Sequence, residues 1–255
     1  VLLEALPTPP EPLLNKEFLN EYSDDKIDTL VELLGSKSPL ESVEKFMDEF
    51  VSDDFSAQIL VSCLLELGAS SYTHTFKLLE RYEPLLRKLS ATEENRVGVV
   101  KAIFTVWNSC PQHIYLVVER CLLMQFVDCS AIVTSLFDEN ELHLFRSPYL
   151  WKLVETMVAF NSLDERDPRQ PKDFLLLVYQ RFHSILSSSI DSADSDTLFP
   201  LVTKRMHQFA RLSMPLAFQT NSIKRIHSLL FAQADDTISS TFTPILQLAE
   251  FYQSQ

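Results

Sequence analysis

The stretch VVKAIFTVWNSCPQHIYLVVERCLLMQF, residues 99–126, decides the fold class. Val100, Ile103, Phe104 and Trp107 fall at i, i+3, i+4 and i+7, which places four large apolar groups on one stripe of a helix. Cys110-Pro111 breaks the pattern, since proline suits a first helical turn and not a helix interior. The stripe then restarts with Ile114, Val117, Val118, Cys121, Leu122 and Phe126. Two amphipathic helices joined by a short link can bury their apolar faces against each other and against further pairs.

The same period recurs outward. Phe174, Leu177, Val178, Phe182 and Ile185 repeat it, and helices are expected near 13–34 (two short ones), 39–50, 54–67, 71–89, 92–108, 111–126, 129–145 (interrupted), 148–162, 172–189, 196–216, 220–233 and 239–253. Ser38-Pro39 with Glu41, Ser90 with Glu93, Asp128 and Ser147-Pro148 read as helix starts, because their side chains can accept from free backbone N–H groups. Pro84 should kink or split its helix. Only Gly35, Gly68 and Gly98 occur, and no Asn-Gly or Asp-Gly pair is present, so short β-hairpins lack their turn residues. The pattern predicts an all-α chain of stacked antiparallel helix pairs, a HEAT-like or ARM-type superhelix, forming one domain over 1–255. Asn161 to Asp173, rich in charge and proline, and Ser187 to Asp196 read as exposed connectors, the latter also as serines among carboxylates open to phosphorylation.

At 46% apolar and 22% charged residues, with mean hydropathy +0.02, the composition is that of a soluble globular protein. No apolar run reaches the roughly 20 residues a membrane helix needs. Val1 reads as the edge of a piece cut from a longer chain. Cys63, Cys110, Cys121 and Cys129 sit within or beside helical stripes, as reduced thiols of an intracellular protein would.

The net charge of −13 is unevenly placed. Residues 1–66 carry 15 acids against 4 bases, whereas no acid occurs between Asp196 and Asp235. That span holds Lys204, Arg205, Arg211, Lys224 and Arg225, which read either as a solvated helical face or as a docking surface for RNA or an acidic protein. A pI near 4.9 argues against broad tracking of phosphates.

Catalytic constellations are missing. Three isolated glycines support neither a phosphate-cradling loop nor a dinucleotide fingerprint, and no Gly-x-Ser-x-Gly or His-Glu-x-x-His pattern occurs. Cys110 and His113, followed by Cys121 and Cys129, come nearest to a zinc set. Cys121 belongs to an apolar stripe and Cys129 opens the next helix, so four ligands should not converge. Asp24-Asp25, Asp53-Asp54 and Asp235-Asp236 read as caps, His74 as a hydrogen-bonded structural histidine, and His207 and His227 as surface or packing residues. No catalytic residue, metal or cofactor is expected.

Thr105-Val106-Trp107, Pro111-Gln112, Ile114, Leu116 to Arg120, Val127 to Val133 and Leu136-Phe137 together resemble the large subunit of the nuclear cap-binding complex. Ser71-Tyr72-Thr73-His74-Thr75-Phe76, Leu150-Trp151-Lys152-Leu153 and Tyr179-Gln180-Arg181-Phe182 are similar to flanking motifs of that family. The resemblance runs from about Phe46 to about Phe231, with residues 1–45 matching poorly, and it implies the third, C-terminal helical domain, of the type shared with the middle domain of the translation-initiation scaffold. It further implies a nuclear, non-catalytic scaffold, able to shuttle to the cytoplasm, that supports a small cap-binding subunit with an RNA-recognition motif. Capped RNA is then reached indirectly, and factors for splicing, mRNA export and nonsense-mediated decay are recruited. Residues 161–173 stand where many members carry a long coiled-coil insertion. A related scaffold of translation or mRNA decay that binds an RNA helicase, and direct RNA binding through the basic span, are the competing expectations.

Overall fold

The computed structural model describes residues 24–50, 56–138, 146–162, 173–190 and 195–254, and among them every regular element is helical. The expected first short helix, Asp53-Asp54 and most of the Asn161–Asp173 connector lie outside the described residues, whereas the Ser187–Asp196 connector is shorter than expected: Ser187 to Ser189 continue a helix, with Ser189 buried, and Ser195 and Asp196 begin the next. The chain divides into two compact units, Val1–Ala131 and Ile132–Gln255.

In the first unit, α1 (Asp24–Gly35), α2 (Leu40–Phe50), α3 (Ser56–Gly68), α4 (Tyr72–Arg81), α5 (Glu83–Leu89), α6 (Glu93–Val106) and α7 (Pro111–Leu123) follow in order. The apolar stripe within residues 99–126 is core: Val100, Ile103, Phe104 and Trp107 on α6 and its cap are buried, as are Ile114, Val117, Val118, Cys121, Leu122 and Phe126. Helix α3 is its main partner and is apolar nearly all round, with Ile59, Leu60, Val61, Cys63, Leu64 and Leu65 fully enclosed. A helix hydrophobic on every face belongs at the centre of a helical layer.

Local chemistry sets the breaks. Tyr82 separates α4 from α5, and Pro84 occupies the first turn of α5, so the expected split at this proline occurs. The start of α6 needs correction. Ser90 terminates α5, with its N–H bonded to the Leu86 carbonyl, and Thr92 is the residue whose side chain accepts from Asn95 N at 3.2 Å. The three-residue link Ser90–Thr92 leaves room for a C-cap and an N-cap, and of the two capping side chains only Thr92 has the extended backbone an N-cap requires.

Helix α8 (Cys129–Leu136) begins as expected at Asp128, whose Oδ1 accepts from Ala131 N at 2.8 Å. The same buried carboxylate lies 2.7 Å through Oδ2 from Arg96 Nε, although that N–H is not aligned as a hydrogen bond. Arg96 also donates to the Ser90 and Ala91 carbonyls, so one guanidinium ties the α5–α6 link to the start of α8.

The second unit contains α9 (Pro148–Asn161), α10 (Phe174–Ser189), α11 (Ser195–Thr220), α12 (Ser222–Ile226), a π-helical turn (His227–Phe231) and α13 (Asp236–Gln253). Phe182 centres its core, with ring centroids of Phe137, Phe209 and Tyr179 at 5.0, 6.0 and 6.4 Å. Phe231 stacks on Phe242 at 4.2 Å. Helix α11 runs through Pro200 and Pro215 because Val202, Met206, Phe209, Ala210, Ser213, Met214 and Ala217 form a buried face. Each fully buried large apolar side chain contributes about 1.5–3 kcal/mol, which outweighs the helix penalty of a proline on the far side. Asn221, at φ 48°, ends the helix in the left-handed conformation that asparagine tolerates, so one expected helix over 220–233 is instead α12 followed by the π turn.

Candidate partner-binding surface

All five cations singled out in the sequence lie in the second unit, but they do not form one patch of equivalent charges. Arg205 is half-buried: its guanidinium sits 4.8 Å over the Trp151 ring and donates to Gln208 Oε1 at 2.9 Å. Desolvation lowers its pKa from the ordinary arginine value. Arg225 faces Asp173 at 3.2 Å in an exposed pair. Those two are engaged within the fold.

Lys204, Arg211 and Lys224 are exposed, and none of them pairs with a carboxylate among the described residues. Lys204 and Arg211 belong to one face of α11, since Lys204, His207, Gln208 and Arg211 fall at i, i+3, i+4 and i+7. They border an open groove of about 570 Å³ with Phe199, Pro200 and Thr203. His207 and Arg211 are shared with an adjoining cleft walled on α13 by Pro244, Ile245, Gln247 and Leu248. His207 is fixed there, its Nε2–H donating to the Thr241 carbonyl at 2.7 Å. His227 packs its ring against Phe242.

Lys224 stands apart, on a cavity of about 400 Å³ lined by Met214, Ala217, Phe218, Ile223 and Ala249. Sequence reasoning missed the adjoining cleft and this cavity. Their α13 walls are far along the chain from the cations, and only the fold joins them.

In the first unit, Cys110 and His113 do meet, Sγ to Nδ1 at 2.8 Å, yet the contact belongs to an aromatic stack. The His113 ring lies 4.3 Å from Tyr72 and 4.4 Å from Trp107, and Tyr72 Oη is 3.1 Å from the same Nδ1. Burial lowers the His113 pKa from its ordinary value. Desolvation by burial pushes the Cys63 thiol up to about 12, with the Glu66 charge adding to it, and raises Cys121 further. Both are held as neutral thiols by that burial. Among the described residues no three His, Cys, Asp or Glu side chains converge on a common point. His74 is exposed, its Nδ1 3.1 Å from Ser70 Oγ, and Asp235 caps α13 at Thr237 N.

The described residues form an all-α array of paired helices with exposed cations beside open grooves, the fold class of helical-hairpin proteins. The MIF4G-like family model matches residues 14–211, and the chain belongs to that family. The match takes in residues 14–45, where the motif resemblance is poor, and ends before the π turn. Nuclear cap-binding protein subunit 1 of Aedes aegypti is 28% identical over 131 residues, 51% of this chain and 16% of that protein. The Gallus gallus protein of the same name is 26% identical over 140 residues, covering 54% and 17%. Nuclear cap-binding protein subunit 1-A of Xenopus laevis is 25% identical over 146 residues, covering 57% and 18%. The chain thus spans less than a fifth of the length of these relatives.

Proposed function

We propose that this chain is a non-catalytic scaffold domain of the large subunit of a nuclear cap-binding complex, acting in the nucleus and shuttling with its cargo. It supports the small subunit carrying the RNA-recognition motif and recruits RNA-processing and export factors, and capped RNA is bound through the small subunit. Membership of the MIF4G-like family, together with relatives named as cap-binding subunits, carries this reading. A single family match across residue 131 favours treating the two units as one domain in function.

Direct RNA binding through the basic span is the weaker reading. Two of its five cations are held internally by Trp151 and Asp173, which leaves too few for steep phosphate neutralisation. The test is retention on immobilised 7-methylguanosine of the full-length protein containing this domain. Retention that depends on an added small subunit is expected. Equal recovery with and without that subunit, or none with it, refutes the reading.

A further inference from the structure

The exposed face of α11 carries more than charge. Lys204 and Arg211 are two turns apart, about 10 Å along the axis, and the surface between them holds His207 and Gln208. Phe199 and Pro200 supply apolar wall at one end, and Ile245 and Leu248 of α13 at the other. No carboxylate lines either cleft among the described residues; Asp196, one turn before Pro200, is the nearest acid along α11.

We infer that this groove docks a short acidic segment of a partner protein, with carboxylates on Lys204 and Arg211 and a large apolar side chain against Ile245 and Leu248. The inference rests on the scaffold reading only in taking the chain to hold protein partners.

Charge decides between a peptide and a nucleic acid. The whole chain is at −13, which repels a long polyanion, whereas a short segment feels mainly charges within the Debye length of about 8–10 Å. Within that radius along α11 the groove is cationic. Its walls also fit a peptide better: they are aliphatic and proline surfaces with one aromatic, Phe199, where single-stranded nucleic acid needs a series of stacking rings. Paired charges two turns apart with an apolar anchor beside Arg211 match one face of an amphipathic helix.

The experiment uses the 255-residue chain and a displayed library of random peptides about 12 residues long. Enriched sequences should be acidic and contain a large aliphatic or aromatic residue. The best of them, synthesised and labelled, should bind the Lys204→Glu/Arg211→Glu variant about tenfold or more weakly, and bind less at about 300 mM than at about 50 mM salt. A Leu248→Ala variant should lose affinity without losing that salt dependence. Unchanged helical circular dichroism and melting of each variant separates loss of contact from loss of fold.

Enrichment of neutral or basic sequences, no enrichment, or equal affinity for the charge-reversed variant overturns the proposal. So does a uridine homopolymer of about 15 nucleotides that binds the chain tightly and displaces the peptide, which would make the groove a nucleic-acid surface. Retention on 7-methylguanosine is measured on the unsubstituted protein, so the scaffold reading and the groove fail separately.

Discussion

At Gly68 the end of α3 meets the start of α4 so closely that a Cβ on that residue would lie 2.6 Å from the Thr75 Cα and 2.8 Å from its Oγ1. Thr75 is held there by its own hydroxyl, which donates to the Gly68 carbonyl at 2.9 Å. The obstacle is backbone and cannot rotate away, so Gly68→Ala should destabilise the chain by about 2 kcal/mol in urea titrations. Gly98→Ala meets only the far end of the Gln58 side chain at 3.1 Å and should cost much less. Asp128 is a second sensitive residue. Removing it strips the α8 cap and leaves Arg96 with 15% side-chain exposure and no counter-charge, so Asp128→Ala should cost about 3 kcal/mol. Asp128→Asn keeps the cap acceptor and should cost less. His113 supplies a pH signature: because its folded pKa is lowered by burial, the unfolded chain takes up the proton first as pH falls below about 6.5. Stability contributed by the neutral ring is present above that pH and is lost on acidification. His113→Gln should flatten the decline in melting temperature between about pH 7 and 5, leaving the share owed to His183, whose pKa burial also lowers.

Among the elements, what could be read from sequence was whatever depends on near neighbours. The stripes on α6, α7 and α10 follow from spacing alone, and of the fifteen side chains assigned to them only Leu177 is not buried. Breaks with a proline or an Asp cap were equally legible. The start of α6 was not, because Ser90 and Thr92 both have capping side chains and only the backbone of the link distinguishes them. The end of α11 was missed for a different reason. Asparagine in the left-handed region resembles any polar helix residue in sequence, and the π turn beyond it is fixed by Phe231 reaching Phe242. Asn221→Val should therefore destabilise the second unit by about 1–2 kcal/mol, since a β-branched side chain opposes that backbone, while Asn221→Gly should be close to neutral. Thermal melts of the two variants discriminate. The candidate surface was legible as a run of cations without acids, but the stack of Arg205 on Trp151 joins positions on different helices that no local pattern connects.

For the molecule as a whole, the dominant electrostatic fact is self-repulsion in the first unit. Residues 1–66 carry 15 acids and 4 bases, and the pairs that offset this, Lys88 with Glu44 at 2.6 Å, Arg87 with Glu83 at 2.7 Å and Arg120 with Glu80, are at least partly exposed. Pairs of that kind are worth about 0–1 kcal/mol each, and salt weakens them. Salt also screens the repulsion within this acidic excess of 15 acids over 4 bases. Raising NaCl from about 20 to about 300 mM should therefore raise the melting temperature of the first unit by a few degrees, with little change in the second, whose charge is nearly balanced. Calorimetry at several salt concentrations, with Gly68→Ala and Asn221→Val marking which transition belongs to which unit, reads this out. A fall in the first transition would mean that the ion pairs, the buried Arg96–Asp128 contact foremost, outweigh the acidic excess. The same screening runs in the opposite direction at the α11 groove, where added salt should weaken an acidic peptide while it strengthens the fold. That opposition separates an electrostatic docking surface from a stability effect transmitted through the helices.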